Sequence, residues 1–295
     1  MTTYRLEDGT LNDGIHIVLD SIASAAETPL AHDARCHILP LIVRHGAIEW
    51  RDGEKQTAEM FKMVKESGEL PKTSQPPVGD FLDLFSELAS EGKKVIGIFV
   101  DGVLSGTCQT ARMAARQVMQ EVPGADIRVF DSLTAATPIS ALALDVLKHV
   151  DEGAGMDELE AFINGAIART ETIFSVSTLE YLQKGGRIGA VGALVGNLLG
   201  IRPVIMLDNE GKLVVAAKCR TRSKVLNTML ELAAAKGEPE RICIANEEAE
   251  TDAKYLYEEM TKRYPGVPVL MTGIGTVLAS HLGPGCIGLF VRTKA

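Results

Sequence analysis

From Ile15 onward, short apolar runs rich in β-branched residues alternate with stretches in which apolar residues recur at helical spacing. The runs IHIVLD, CHILPLIV, VIGIFV, DIRVFD and TIFSVS have the length and composition of buried strands. Between them, FLDLFSELASEG and GTCQTARMAARQVMQEV predict helices. Strands that alternate with helices are typical of βαβ units. The pattern therefore predicts an α/β fold with a mostly parallel N-terminal sheet flanked by helices.

A turn-rich stretch at residues 151–155, DEGAG, interrupts this alternation before a new helical stretch begins. We therefore predict two domains, at residues 14–153 and 154–295, preceded by an N-terminal extension at residues 1–13. In the second domain, Asp208-Asn209-Glu210-Gly211 joins two β runs, and Asn and Gly accept the positive φ of tight turns. The C-terminal domain is thus predicted to be α/β and to contain an antiparallel hairpin.

The longest apolar run, IGAVGALVGNLLGI at residues 188–201, predicts a buried or inter-domain helix. It is shorter than the roughly 20 residues that a membrane-spanning helix needs, so no transmembrane segment is expected.

The first residues lack the basic and then apolar order of a secretory signal. Five cysteines without any Cys-x-x-Cys pair indicate reduced thiols, and we expect a cytoplasmic protein.

Composition and charge narrow the class of ligand. The chain is 46% hydrophobic and carries a formal net charge of −9, which argues against nucleic acid as a partner because phosphate binding needs concentrated Lys and Arg. Histidines and cysteines show no metal-ligand spacing, so no metal site is predicted.

Two polar loops precede predicted helices, the position at which open α/β sheets bind ligands. In the first, Thr73, Ser74 and Gln75 lie between prolines. In the second, Ser105 and Gly106 follow a strand, and a hydroxyl beside a glycine at a helix start presents O–H and N–H groups to an anion. The same residue types also fit simple helix N-caps, and both interpretations stay open.

Two further polar positions have an ordinary and a functional interpretation. Arg187 follows two glycines in Lys184-Gly185-Gly186-Arg187, where a cation is either solvated or available to a ligand. His281 is predicted to lie in a turn before the last strand, as a structural histidine or as one that faces a ligand.

Sequence motifs for other functions, namely nucleotide binding and hydrolysis by a serine nucleophile, are incomplete or absent. The sequence from Gly283 to Gly288 matches G-x-G-x-x-G, but only seven residues follow it, too few for a dinucleotide fold. There is no G-x-x-x-x-G-K-[ST] phosphate-binding loop. Ser105 as the nucleophile of an acyl hydrolase or transferase stays an alternative, although its surroundings are not G-x-S-x-G.

Taken together in this order, four elements give the chain a resemblance to the DegV family of bacterial fatty-acid-binding proteins. These are Asp20-Ser21, Thr73-Ser74-Gln75-Pro76, Ser105-Gly106-Thr107, and the segment LEYLQKGGRI at residues 179–188. Supporting matches are Asp52-Gly53, Asp131-Ser132, Ile201-Arg202-Pro203 and His281-Leu282-Gly283-Pro284-Gly285.

The resemblance implies a two-domain α/β protein that holds a long-chain fatty acid in a buried tunnel, with no cofactor. It implies that Thr73 and Ser105 hold the carboxylate, and it places the positions of Ser74, Gly106, Arg187 and His281 near the head group. It further implies a carrier and not an enzyme, one that presents the acid to a separate fatty acid kinase for acyl phosphate formation in phospholipid synthesis. A lipid-sensing regulatory module on the same fold is the remaining alternative.

The chain departs from the family pattern at several positions. Asp101-Gly102 stands where relatives tend to have serines, Cys108 replaces a usual aromatic residue, and Asn246 stands where a histidine is common. Ala135-Ala136-Thr137-Pro138 replaces a more glycine-rich stretch. We therefore expect the walls near the head group to differ from those of relatives.

Overall fold

The computed structural model of the chain describes residues 14–194 and 200–295. Its strands are β1 (Ile15–Asp20), β2 (Cys36–Leu39), β3 (Ile42–His45), β4 (Ile48–Arg51), β5 (Lys72–Ser74), β6 (Lys94–Phe99), β7 (Ile127–Asp131), β8 (Thr170–Ser175), β9 (Arg202–Leu207), β10 (Leu213–Cys219), β11 (Pro239–Glu247), β12 (Val269–Gly273) and β13 (Cys286–Thr293). Its α-helices are α1 (Thr57–Ser67), α2 (Val78–Ser90), α3 (Thr107–Glu121), α4 (Thr137–Asp151), α5 (Met156–Ala168), α6 (Glu180–Lys184), α7 (Arg222–Ala235), α8 (Glu250–Arg263) and α9 (Thr276–Leu282). The predicted extension at residues 1–13 lies outside the described residues.

The N-terminal sheet is parallel, with strand order β2-β1-β6-β7. All six residues of β1 are buried, as expected for a strand covered on both faces. Helices α2 and α3 pack on one side of the sheet, and α4 and α5 contact it from the other. The predicted parallel sheet flanked by helices is confirmed.

One predicted strand was wrong. The run CHILPLIV is not a single strand, because it breaks at Pro40 into β2 of the parallel sheet and β3 of another sheet. Proline has no N–H to donate to a strand ladder, so the run cannot continue through it as one central strand. Strand β3 pairs with β4 and β5 in a small antiparallel sheet that the sequence analysis missed.

The C-terminal sheet is mixed and has strand order β10-β9-β8-β13-β11-β12. The predicted hairpin is confirmed, since β9 and β10 pair antiparallel with Leu207 opposite Leu213. In its turn the Asp208 carboxylate accepts hydrogen bonds from the backbone N–H groups of Glu210 and Lys212. Gly211 supplies the positive φ, at +78°, that closes the turn.

Alternate residues of the C-terminal sheet face two different cores. Ile173 and Leu289 belong to the core formed with α7 and α8, whereas Phe174 and Phe290 face the N-terminal half. Helix α4 fills part of the space between the two large sheets and contacts β1, β11 and β12. The division at residues 153 and 154 stays a prediction, and α5, which lies beyond it, packs on α4 and β7.

The apolar run at residues 188–201 is only partly described. Residues 189–194 form a 3-10 helix in which Val191 is buried, and residues 195–199 lie outside the described residues. In the described parts of the chain, no helix combines the length and the apolar character needed to cross a membrane.

Candidate functional site

A cavity of about 420 Å³ lies between the inner face of the C-terminal sheet, the carboxyl ends of the parallel strands and helix α9. Its volume is within the range of ligand pockets, which hold roughly 300–1,000 Å³. Most of its wall is aliphatic or aromatic and includes Ile22, Leu41, Val100, Leu104, Phe174, Leu182, Leu207, Ile274, Val277, Leu278 and Phe290. Such a cavity suits a largely apolar ligand.

Every residue that the sequence analysis assigned to the head group lines this one cavity. Thr73 and Ser74 end strand β5, Ser105 and Gly106 stand between β6 and α3, Arg187 follows α6, and His281 lies in α9. Four separate segments of the chain thus bring their polar groups to the same apolar space. This pattern, a few convergent polar groups on an apolar wall, is typical of small-molecule sites.

The capping interpretation of Thr73 and Ser74 was wrong. Helix α2 begins only at Val78, and its N-cap residue Pro77 makes no side-chain cap. Thr73 and Ser74 instead pair with β3, with Thr73 opposite Val43. Because strand pairing fixes the backbone of Thr73, the direction of its side chain is set by the sheet and not by the helix.

Ser105 lies at the entrance to α3, whose N-cap residue is Gly106. The Ser105 hydroxyl accepts a long hydrogen bond from the Thr107 backbone N–H, at 3.4 Å, and lies 2.9 Å from the Thr107 hydroxyl. Thr107 is fully buried, whereas Ser105 is half-buried and lines the cavity. Ser105 therefore bonds locally at the start of α3 and also lines the cavity.

His281 lies in the last turn of helix α9, so its predicted place in a turn was wrong. Its Nε2 is 2.7 Å from the Thr73 hydroxyl oxygen. Burial, together with the positive charge of Arg187, lowers the pKa of His281 to about 4. The imidazole is therefore neutral at physiological pH, with one proton to place on either nitrogen.

The other nitrogen of His281, Nδ1, is shielded from solvent and has no hydrogen-bond partner in the described part of the chain. It points at the backbone of Gly185, where a Cβ would collide with it. A glycine is required there for the close approach of the ring. The second of the two glycines that precede Arg187, Gly186, turns the chain with a φ of +72°.

Arg187 is not a freely solvated cation. Its side chain is half-buried and donates hydrogen bonds to the carbonyl oxygens of Gly185, at 2.8 Å, and Leu104, at 3.2 Å. These contacts join the glycine loop to the loop that carries Ser105. They leave a positive charge at the edge of the cavity, where it also acts on His281.

Asp101, one of the positions where we expected this chain to differ from the family pattern, forms hydrogen bonds within the loop that carries Ser105. Its backbone carbonyl accepts the N–H groups of Leu104 and Ser105, both at 3.0 Å, and its Oδ1 accepts the Val103 N–H at 2.8 Å. Burial raises the pKa of Asp101 to about 7, with further contributions from nearby carboxylates. Its carboxyl group fills the space beside Gly211 of the hairpin, where a Cβ would collide with it.

The other positions where we expected differences from the family pattern lie behind the cavity wall or change the backbone conformation of the wall. The Cys108 side chain packs in a core with Phe81 and Phe99, away from the cavity, and Asn246 neighbours the lining residue Ala245. Ala136 lines the cavity with φ +65° and ψ −145°, a conformation that favours glycine. A residue with a side chain at this position therefore carries strain at the wall.

The hydrogen bonds do not support a serine nucleophile. Ser105 shares its hydrogen bond with Thr107, while His281 is engaged by Thr73. A hydrolase needs the base within hydrogen-bond reach of the nucleophile.

Within residues 14–194 and 200–295, no group of three or more His, Cys, Asp or Glu side chains is arranged to hold a metal ion.

The sequence analysis missed the sheet wall of the cavity. Thr172 and Phe174 on β8, and Gly288 and Phe290 on β13, line it at alternate positions. The period of two in these runs was the available signal. It could show which residues share a face but not which face meets the ligand.

The fold and the site define an α/β ligand-binding protein with an apolar cavity and a polar wall. The chain belongs to the DegV family, described as "Uncharacterised protein, DegV family", whose sequence profile matches residues 14–294. Protein DegV of Bacillus subtilis is 30% identical over 280 residues, covering 93% of this chain and 98% of that protein.

Two solved structures are similar over nearly the whole chain. A DegV family protein from Thermus thermophilus, described by its fatty acid binding, has a TM-score of 0.86 and 31% identity, covering 95% of this chain and 99% of that chain. A fatty acid binding DegV family protein from Streptococcus agalactiae has a TM-score of 0.85 and 28% identity, with the same coverage. The α/β architecture is thus shared with fatty-acid-binding members of the family.

Proposed function

We propose that this protein binds a long-chain fatty acid in the cavity, with the carboxylate held by Thr73 and Ser105. The observation that carries the proposal is the meeting of Thr73, Ser105, Arg187 and His281 at one largely apolar cavity. An acyl chain matches the apolar wall, and a carboxylate matches the polar one. The family members described as fatty acid binding support the same ligand class.

The hydrogen bonds that Thr73 and Ser105 make within the protein can leave the proton of each hydroxyl free to be donated to an anion. With its single proton on Nε2, neutral His281 donates to the Thr73 oxygen, which leaves the Thr73 proton for the ligand. In the same way, when the buried Thr107 hydroxyl donates to Ser105, the Ser105 proton is left for the ligand. Arg187 adds a positive charge, and the N-terminus of the 15-residue helix α3 adds a favourable dipole.

The energetics are consistent with retention of the ligand. Burying about 14 methylenes of a C16 acid at ~0.8 kcal/mol each gives ~11 kcal/mol before the costs of immobilisation. An ionised carboxylate opposes binding by several kcal/mol unless it accepts good hydrogen bonds. Two hydroxyl donors offset much of that cost without the strong pairing of a buried arginine, and this suits a carrier that must expose its head group.

We further propose that the protein presents the acid to a fatty acid kinase, as the family resemblance implies, and does not itself catalyse a reaction. A second, more open depression of about 530 Å³ shares Leu104, Ser105, Gly106, Arg187 and Leu213 with the main cavity. The proposed carboxylate site would therefore have a side that faces the surface. A partner enzyme could reach the head group there while the acyl chain stays buried.

The test is organic extraction of the purified protein followed by mass spectrometry, before and after incubation with a mixture of fatty acids. We expect a long-chain fatty acid in about one copy per chain. A protein that carries no lipid after both treatments would contradict the proposal.

A second measurement separates the carrier from the alternatives. The loaded protein is mixed with ATP and the fatty acid kinase of the same organism, and acyl phosphate is measured. Ester hydrolysis that Ser105→Ala abolishes while lipid binding persists would favour an acyl hydrolase or transferase. A loaded protein whose acid the kinase does not turn over would favour a lipid sensor.

A further inference from the structure

A pair of threonine hydroxyls lies at the sheet wall of the cavity, on segments of the chain that carry none of the head-group residues. Thr172 of β8 lines the cavity and is 5% exposed, and its Oγ1 is 2.7 Å from Oγ1 of Thr134, which is 3% exposed. Thr134 belongs to the loop between β7 and α4. The pair therefore joins the two halves of the chain at the cavity surface.

Two hydroxyls that bond to each other have two protons but use only one between them. Within residues 14–194 and 200–295, the Oγ1 atoms of Thr134 and Thr172 have no hydrogen-bond partner besides each other. Whichever of the two accepts is left with an O–H that has no acceptor. When Thr134 donates, the free proton is on Thr172, which lines the cavity, whereas Thr134 does not. An unmet donor in a buried position is costly, so this arrangement calls for an acceptor inside the cavity.

A neighbouring pair shows what a complete arrangement looks like. Thr137 and Thr272 also bond through their hydroxyls, at 2.7 Å, but Thr137 lies 3.3 Å from the carbonyl oxygen of Ile244 as well. Thr272 can donate to Thr137, and Thr137 can donate to the carbonyl, so both protons are used. Neither of these threonines lines the cavity.

The surroundings of Thr172 are apolar. It shares its face of the sheet with Phe174 and lies opposite Phe290 on β13, and both rings line the cavity. Thr73 and Ser105 bond elsewhere, to His281 and Thr107. With Thr134 as the donor, the free proton of Thr172 is a second polar point in the cavity. It belongs to strand β8, which carries none of the head-group residues, and an unsubstituted acyl chain would leave it unmet.

We propose that Thr172, with Thr134, forms a subsite for an oxygen atom carried on the acyl chain, so that the cavity prefers hydroxy or keto fatty acids. This inference rests on the proposed binding of a fatty acid and specifies its chemical class. A chain oxygen accepts the unmet proton, and a chain hydroxyl can also donate back to a threonine oxygen. The carboxylate keeps its place at Thr73 and Ser105.

The test measures the affinities of stearic acid and of a series of positional isomers of hydroxystearic and ketostearic acid. At least one isomer is expected to bind about three- to tenfold more tightly than stearic acid, the gain typical of one added hydrogen bond. Thr172→Val, which keeps the shape of the side chain, should remove that preference, measured in the variant itself as the ratio of each isomer's affinity to that of stearic acid. Thr172→Ser should retain the preference.

Thr272→Val is the matched control, because it removes a hydroxyl from the complete pair and should leave the preference intact. The inference is overturned if no isomer binds more tightly than stearic acid, as a cavity water on Thr172 would give. It is also overturned if Thr172→Val keeps the preference. If stearic acid and all isomers fail to bind the unaltered protein, the proposed function itself is wrong.

Discussion

Thr73 and His281 stand 208 residues apart in the chain, and a 2.7 Å contact joins the hydroxyl of one to Nε2 of the other. The contact ties strand β5 to helix α9 across the polar end of the cavity. Because the imidazole is buried and faces the positive charge of Arg187, its pKa lies at about 4. The protonation state of His281 is thus a direct reporter of charge at the head-group site.

We predict that binding of a fatty acid raises the pKa of His281. A carboxylate near the ring favours the imidazolium form and opposes the effect of burial. The measurement is an NMR titration of the His281 ring, with and without ligand, between pH 3 and 8. A pKa that stays at its ligand-free value in the loaded protein would place the carboxylate elsewhere.

Arg187→Gln tests the electrostatic part of the same pKa shift. Removal of the cation should move the pKa of His281 upward, although burial should still hold it below the ordinary value of 6.5. Lys184→Gln is the control, since Lys184 pairs with Glu180 at the surface and should leave the titration unchanged. The same titration in each variant checks both statements.

Thr73→Val and Ser105→Ala should each weaken fatty acid binding by about tenfold or more. A hydrogen bond to a charged group contributes roughly 1.5–3 kcal/mol, and every 1.4 kcal/mol is a factor of ten in affinity. Calorimetry or displacement of a fluorescent fatty acid would measure the loss. Ser177→Ala is the control, because this exposed hydroxyl bonds to the Gly285 carbonyl outside the cavity wall. Unchanged affinity in both site variants would contradict the proposed carboxylate contacts.

Asp101→Asn should change how stability depends on pH. The pKa of Asp101 is raised to about 7 in the folded chain and is about 3.8 when unfolded, so between these values only the folded state keeps the proton. The folded state therefore loses stability as pH rises through this window. Asparagine keeps an acceptor for the Val103 N–H but does not titrate.

The variant should accordingly gain stability relative to the unaltered protein as pH rises from about 4 to 7. Urea denaturation at several pH values in this range is the measurement. Asp20, which burial also raises to a pKa of about 7, titrates in both proteins and cancels from the difference. Parallel stability curves for the two proteins would rule out the predicted titration of Asp101.

Ala136→Gly should stabilise the fold by about 1 kcal/mol. Strain at φ +65° and ψ −145° costs a side chain of order 1–3 kcal/mol, while glycine adds about 0.5–1 kcal/mol of unfolded-state entropy. Ala135→Gly is the control, since this neighbour also lines the cavity but has no positive φ and should be destabilised. Chemical denaturation of the two variants gives the comparison.

Local pattern was enough for much of the fold. The strands β1, β6 and β7 and the β9–β10 hairpin could be predicted, because buried strands and turn residues have signals within a few neighbouring positions. Strands β4 and β5 were missed, and the start of β3 was joined to β2 as one strand, because each of the three has only three or four residues and exists through pairing with the others. His281 was placed in a turn because α9 is only seven residues long.

The residues of the candidate site likewise fall into those that the sequence indicated and those that only the structure shows. Thr73, Ser105, Arg187 and His281 were singled out because they belong to the sequence segments that carry the resemblance to the DegV family, and all four line the cavity. Thr172 was missed because threonine is an ordinary strand residue. Only the pairing of β8 with β13, and the contact with Thr134, distinguish it from a structural hydroxyl.

Trp50 is the single tryptophan of the chain, and its indole N–H donates to the hydroxyl of Thr276, the first residue of α9, at 3.1 Å. The same helix carries His281 and part of the cavity wall. Intrinsic fluorescence excited at the indole therefore comes from one probe attached to the element that would meet the ligand. Loading and release of the proposed acid should therefore change this emission, which can be followed in real time and without an added dye.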